Sequence, residues 1–300
     1  MRILLLGNRG QLGWELNRTL LTLGDVATWD YPDIDLTQPE NVTNIIADVR
    51  PEIIINATAY TAVDRAESEP EIADAINHRA PAIMAEQARD LGLVFIHYST
   101  DYVFDGTKGS PYTEEDAPNP LNVYGHSKLA GEIAISQVGG AYLILRTSWV
   151  YSLRRDSFVT KVLRWSREHH TLRIVSDQVS NPTWARTLAE ISAQLLSKGD
   201  QDLWGWITQS RGIYHLACDG YTSRLQWAEA IIRYDPRKQE QITQIVEPAK
   251  TTDFPTAAQR PRFSALDCSK FKNNFGLSLP GWELSLKLAM QDQGKAVSQN

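Results

Sequence analysis

The chain has 300 residues, enough for one large domain or two ordinary ones. Hydrophobic residues make up 42% and charged residues 22%, ordinary globular proportions that exclude a disordered or fibrous chain. A formal charge of −6 lacks the basic excess of a nucleic-acid binder, and two isolated cysteines exclude a disulfide framework or a Cys-ligated zinc site.

Taken from the N-terminus, the apolar run at 3–6 is too short for a signal-peptide core and leads straight into glycines. No later run approaches the length of a membrane span, so a soluble cytoplasmic protein is expected. Apolar runs at 3–6, 26–29, 53–55, 94–98 and 142–145 read as buried strands, with stretches of helical length at 11–23, 39–49, 66–91 and 124–137 between them. This alternation predicts an α/β fold, a Rossmann-type doubly wound parallel sheet, over residues 1–150. Beyond 149 the rhythm loosens. Helices are predicted at 157–169 and 187–198, strands at 172–175 and 213–216, among frequent Trp and Pro. Residues 151–300 are therefore expected to form a smaller α/β substrate domain over the carboxyl ends of the sheet, with an approximate boundary that allows the chain to cross back.

Leu6-Gly7-Asn8-Arg9-Gly10-Gln11-Leu12-Gly13 follows the first strand and opens a helix. In that context Gly7 makes the tight turn, Gly10 lets backbone approach a pyrophosphate, and Gly13 lets helix and sheet pack closely. Asp30 ends the second strand, where a carboxylate suits a ribose 2′-hydroxyl and favours NADH. Arg9 suits a 2′-phosphate instead, so the choice between NADPH and NADH stays open. Asp35-Leu36 and the segment Asn56-Ala57-Thr58-Ala59-Tyr60 follow strands at the same end of the sheet. Both serve equally well as caps for the next helix.

The strand at 94–98 empties into Ser99-Thr100-Asp101-Tyr102, and Tyr124-Gly125-His126-Ser127-Lys128 follows. Tyr124 and Lys128 stand at i and i+4, on one helix face. A lysine ammonium beside a phenol lowers its pKa and makes it a proton donor, the need of a carbonyl reductase, and Thr100 can orient the substrate oxygen. Roughly 0.4 Y-x-x-x-K matches are expected by chance. A second match, Tyr234 to Lys238, contains Pro236 and lies outside the nucleotide domain. His169-His170 reads as a helix C-cap, and Cys218 and Cys268 as inert thiols. Arg154, Arg155 and Arg260 are candidate diphosphate contacts.

The order of glycine loop, strand-end hydroxyl and Y-x-x-x-K resembles the extended short-chain dehydrogenase/reductases. The stretches 10–16, 62–67, 99–105, 122–131 and 146–151, Asp177-Gln178, Pro182-Thr183, and Arg260-Pro261 with Ser264 and Leu266 resemble the dTDP-4-dehydrorhamnose reductases. The resemblance runs to about Trp282. It implies NADPH- or NADH-dependent reduction of the 4-keto group of dTDP-4-dehydro-L-rhamnose. Tyr124 would supply the proton, Lys128 would hold the nicotinamide ribose and Thr100 would polarise the ketone. Gly10, Gln11, Leu12, Asp30, Asp35, Leu36, Ala59, Tyr60, Thr61 and Tyr98 match cofactor contacts. Thr100, Asp101 and Trp149 match contacts to the dTDP-sugar, and Arg260 lies in a matching motif.

Some members of that family are metal-bridged dimers, using a glutamate matching Glu15 and another shortly after the Pro-Thr pair. Here Arg186 stands in the second position, and a cation there repels a hard metal. Neither magnesium nor that dimer is expected, and the chain is compatible with a monomer. Ser180 and Asn181 also replace the small residues that precede Pro-Thr in the family. The resemblance also covers a catalytically silent regulatory subunit, a reductase-like partner of methionine adenosyltransferase. Loss of Tyr124, Lys128 or Thr100 would favour that reading, and all three are present. A dehydratase or epimerase of the superfamily is the weaker alternative, because Asp101-Tyr102 follows Thr100 where a dehydratase commonly has Asp-Glu.

Overall fold

The computed structural model describes residues 1–199 and 202–296. The first half of the chain is β1 (Arg2–Leu6), α1 (Gln11–Leu20), β2 (Asp25–Trp29), α2 (Pro39–Val49), β3 (Ile53–Asn56), α3 (Val63–Ala66), α4 (Pro70–Asp74), α5 (Ala80–Leu91), β4 (Val94–Thr100), α6 (Val123–Val138) and β5 (Ala141–Thr147). Its strands are parallel and buried on both faces. Alternation along each strand sends Ile3 and Leu5, Ile53 and Ile55 to one face, and Leu4 and Leu6 with Ile54 to the other.

The helix expected over 66–91 is broken. Pro70 starts a new helix after a turn, and residues 75–79 form a π turn in which the Ala80 N–H bonds to the Ala75 carbonyl. Pro81 has no N–H to offer the Asn77 carbonyl, so the widened turn relieves a bond that could not form. Gly131 of α6 fills the space beside that carbonyl. A Cβ at residue 131 would lie 2.2 Å from the Asn77 oxygen.

The second half is β6 (Val150–Tyr151), α7 (Phe158–Glu168), β7 (Thr171–Val175), β8 (Val179–Ser180), β9 (Thr183–Trp184), α8 (Ala185–Ser197), α9 (Leu203–Gln209), β10 (Gly212–His215), β11 (Thr222–Ser223), α10 (Arg224–Tyr234), β12 (Ile245–Ala249), α11 (Ser269–Phe275) and α12 (Trp282–Ala296). The six-stranded sheet runs β2-β1-β3-β4-β5-β10, with β10 parallel to β5. Thus the chain crosses back after residue 150. Leu188, Ile191 and Leu195 of α8, Ile207 of α9 and Phe271 of α11 pack into the core on one face of this sheet. A sheet buried on both faces needs that cover, and the first half supplies only α1 on this side.

A separate core gathers Tyr151, Val159, Val162, Leu172, Trp227, Ile231 and Leu286. Three two-stranded ladders brace it: β6 with β9, β7 with β12, and β8 antiparallel to β11. The two layers therefore interleave in sequence instead of meeting at one cut at residue 150. No described helix is long and apolar enough to cross a membrane.

Gly131→Ala is expected to destabilise the protein by about 2–3 kcal/mol, because the added methyl meets backbone rather than a movable side chain. Urea denaturation compared with wild type checks this, and an unchanged midpoint would mean that α6 is free to shift.

Candidate active site

Strand order reverses between β1 and β3, and the carboxyl ends of the strands there open onto a cleft of about 560 Å³. The glycine loop forms one wall. Gly7 has φ +92°, which no side chain adopts cheaply, and a Cβ on it would lie 2.8 Å from the Ala57 carbonyl. Gly10 opens α1 and leaves its first N–H groups facing the cleft beside Gln11 and Leu12. Gly13 works differently. It does not line the cleft, and a Cβ there would lie 1.9 Å from the Gly7 oxygen, so it fixes how closely α1 approaches the loop.

Asp30 also lines the cleft, accepting from the Arg9 N–H at 2.7 Å and the Tyr31 N–H at 2.8 Å. The Arg9 guanidinium donates to Asp33 at 2.6 Å and to the Tyr31 carbonyl at 2.9 Å. Asp35, Leu36, Ala59, Thr61 and Tyr98 are brought to the same cleft. The Asp35 carboxylate itself accepts from the Thr37 N–H and hydroxyl in a local turn that precedes α2. Tyr60 is turned away: its phenol donates to Glu69 and its N–H to the Asn77 side chain.

The sequence reading missed Ser99 and Thr147 at the ends of β4 and β5. Their hydroxyls line the cleft, buried and without a partner among the described residues. Strand-end hydroxyls next to Thr100 and before Trp149 were the available signal. With the glycine cradle, these unpaired groups fit a dinucleotide along the strand ends.

Tyr124 and Lys128 meet at the inner end of the cleft. Asn122 caps α6 by accepting from the Gly125 N–H at 2.8 Å, and Gly125 lets the helix touch the Tyr102 backbone, where a Cβ would come within 2.3 Å. The Tyr124 phenol is hydrogen-bonded to Thr100, and its ring packs edge-on against Tyr102. Burial pushes this phenol above its ordinary range, and the Thr100 bond only partly opposes that. The expected lowering by Lys128 is not what this site shows. The Lys128 ammonium position is turned into the protein, where Nζ lies 3.0 Å from His97 Nε2 and donates to the Tyr98 carbonyl at 2.7 Å. Burial pulls Lys128 down to about 8, with Glu132 opposing. Tyr234 and Lys238, the second match, do not share a helix. α10 ends at Tyr234, whose phenol donates to Glu283 on the surface.

A second cavity, of about 710 Å³, is lined by Phe158, Arg173, Gln178, Arg224 and Arg260 among others. Trp149 is in a left-handed conformation, φ +39°, stacked on Trp227 at 5.4 Å. A bulky residue at positive φ stores strain, which the surrounding packing must hold. Arg224 was also missed. Its guanidinium lies 4.2 Å over the Trp149 ring and bonds to Gln178 and Tyr102. As the first residue of a capped helix it carries no local signal, and only the β8–β11 ladder brings it here. Arg260 is differently engaged, since its guanidinium donates to both Asp64 oxygens, at 3.1 and 2.7 Å. Arg154 stacks on Trp14, and Arg155 donates to the Arg9 carbonyl beside the first cleft.

Asp101 is buried at the bottom, accepting from Ser264, from Ser180 at 3.1 Å and from Thr100 at 3.2 Å. Burial raises it from 3.8 to about 6 despite these bonds. It holds Thr100 in place and joins the strand end to the second layer. The Glu15 carboxylate is half-buried and faces Arg18, Arg186 and Arg154. Arg186 also pairs with Glu190 at 3.2 Å. That donor set does not fit a hard cation, and the described residues hold no group of three or more His, Cys, Asp or Glu placed to bind a metal.

The family model described as the RmlD substrate binding domain matches residues 1–294. A curated dTDP-4-dehydrorhamnose reductase from Burkholderia thailandensis is 40% identical, with 97% of this chain and 99% of that one covered. The chain belongs to the dTDP-4-dehydrorhamnose reductase family. Among solved members, the Clostridium acetobutylicum protein is 32% identical with a TM-score of 0.89, covering 98% of this chain and 99% of its own. The Bacillus anthracis reductase, solved in complex with NADP, is 32% identical with a TM-score of 0.87, covering 97% and 99%. The family fold is thus spanned from β1 to α12, and the glycine loop and Y-x-x-x-K helix of this chain both lie within it.

Asp101 retains a proton in the folded state that the unfolded chain releases between about pH 4 and 6. Its contribution to stability, on the order of 3 kcal/mol, is therefore full below pH 4 and is lost as pH rises through 6. Asp101→Asn should remove this component. Unfolding free energies measured from pH 4 to 7 would show a shallower fall in the variant, and parallel curves would contradict the assignment.

Proposed function

We propose that this chain reduces the 4-keto group of dTDP-4-dehydro-L-rhamnose to dTDP-L-rhamnose with NADPH or NADH. The observation that carries the reading is that Tyr124 and Lys128 both line the dinucleotide cleft, with the Tyr124 phenol hydrogen-bonded to Thr100 at the end of β4. The glycine loop, Asp30, Ser99 and Thr147 would hold the cofactor. When bound, it supplies the hydride.

The residues of the chain do the rest. Thr100, placed beside Tyr124 and Asp101, turns its single hydroxyl hydrogen from Asp101 to the carbonyl oxygen of the sugar. Tyr124 donates its proton to that oxygen as charge develops there. A phenol kept neutral by burial still holds this proton at neutral pH. Trp149 walls the sugar. Arg224, which has no ion-paired carboxylate among the described residues, is the cation proposed for the diphosphate. Arg260 shapes the cavity while held by Asp64. A nucleotide-sugar substrate and a nucleotide cofactor are both water-soluble, which supports a cytoplasmic enzyme.

Tyr124→Phe should lower turnover by roughly 10²–10⁴-fold while leaving cofactor binding intact. Loss of reduced-cofactor absorbance with dTDP-4-dehydro-L-rhamnose measures it. A folded wild-type protein that binds cofactor but shows no turnover would instead favour the silent regulatory subunit. Arg224→Ala should raise KM for the sugar nucleotide about 10–100-fold with little change in kcat, and more than Arg260→Ala does. The reverse order would move the diphosphate to Arg260. Turnover should be unaffected by EDTA, since Arg186 stands beside Glu15; loss restored by magnesium would refute that.

A further inference from the structure

Behind Lys128 lies a closed chain of hydrogen bonds that the reaction outlined above does not use. Asn56, at the end of β3 and fully buried, accepts from the Thr58 N–H at 3.0 Å and from the Thr58 hydroxyl through the same oxygen, Oδ1. A backbone N–H can only donate, so this end of the amide is the oxygen and the other end is the NH₂. That NH₂ faces His97 Nδ1 at 3.1 Å. It too can only donate, so Nδ1 must be the bare nitrogen of the ring. A neutral imidazole then carries its proton on Nε2, and Nε2 points at Lys128 Nζ, 3.0 Å away. An ammonium has no lone pair to receive that proton, whereas an amine does.

We propose that Asn56 and His97 favour the neutral amine of Lys128 in the cofactor-free protein, so that in mildly alkaline solution His97 Nε2–H donates to Nζ. Nζ gives one hydrogen to the Tyr98 carbonyl and keeps the other for the cleft. His97 is thus a positioning residue, and its tautomer sets the charge of the lysine. Converting Lys128 to an ammonium requires His97 to move its proton to Nδ1, against the Asn56 NH₂. The surrounding charges leave the choice to this chain. From α6 comes Glu132, but it is bound bidentately by Arg146 of β5, and Tyr124 one turn earlier is a neutral phenol. The Tyr98 phenol points to the opposite side of the sheet, donating to Ser192. Burial disfavours the charged form of both His97 and Lys128. The charge state stands apart from the identity of the sugar; only its bearing on Tyr124 during turnover rests on the reductase reading.

The test uses the full-length, cofactor-free protein, labelled for NMR. Long-range proton–nitrogen spectra of His97 should show protonated Nε2 and bare Nδ1 at pH 8.5. The Lys128 side-chain signals, assigned by their loss in Lys128→Met, should titrate with a midpoint near 8. Asn56→Asp presents an acceptor to Nδ1, draws the proton there and leaves Nε2 to accept from an ammonium. It should raise the midpoint by at least one pH unit, a tenfold change in proton affinity. Because that variant adds a buried carboxylate, the wild-type spectra decide by themselves if it does not fold. A protonated Nδ1, or a lysine that remains an ammonium beyond pH 10, would overturn the proposal. So would a folded Asn56→Asp whose midpoint is unmoved. Neither readout depends on turnover, so an inactive protein with the predicted tautomer would refute the reductase and not this assignment.

Discussion

Helix α6 lies closer to its neighbours than any side chain at residues 125 or 131 would permit, and the active site depends on that approach. Gly125 sets one end against the Tyr102 backbone and Gly131 sets the middle against Asn77. Pro81 offers the Asn77 carbonyl no i+4 N–H, and Gly131 packs beside that carbonyl. Two side-chain links then lock the helix to the sheet: Lys128 to β4, and Glu132 to Arg146 of β5, with oxygen–nitrogen distances down to 2.6 Å in a fully buried pair. Removing one member of such a pair leaves an uncompensated charge and costs about 3–5 kcal/mol. Packing of this kind positions Tyr124 against Thr100, and proton transfer depends on that orientation.

The same packing removes water from the site, and the electrostatics follow. Asp101, His97, Tyr124 and Lys128 are all shifted toward their neutral forms by burial. Each of them takes on charge less readily there than it would in water. The exposed cavity beyond carries the cations, with Arg224 spread over Trp149 and Arg260 braced by Asp64. A ketone oxygen gaining charge meets buried donors, whereas a diphosphate meets guanidinium groups.

These two environments come from two layers that are interleaved in sequence. After β6 the chain builds part of the second core, returns to cover the sheet with α8 and α9, adds β10 at its edge, and leaves again. This repeated crossing is what lets Ser180 and Ser264, from separate passages of the chain, bind one carboxylate at the end of β4. It also holds Trp149 in its strained conformation between the layers.

The parallel sheet, the nucleotide end and the Tyr124–Lys128 pair were legible in the sequence because each rests on local spacing. A glycine turn, a two-residue strand period and an i, i+4 helix face are fixed by backbone geometry within a few residues. The resemblance supplied the sugar-nucleotide chemistry on motifs spread along nearly the whole chain. Tertiary structure decided what depends on distant segments meeting. It turned Tyr60 away to Glu69, tied Arg260 to Asp64, and brought Arg224 to Trp149 through a ladder only two residues long. It also let burial, not Lys128, set the direction of the Tyr124 shift. A sequence shows that the two residues share a helix face, but the burial that raises the phenol and the imidazole that engages the amine come from β4. Local spacing says which groups are offered; only the packed neighbours determine their charge.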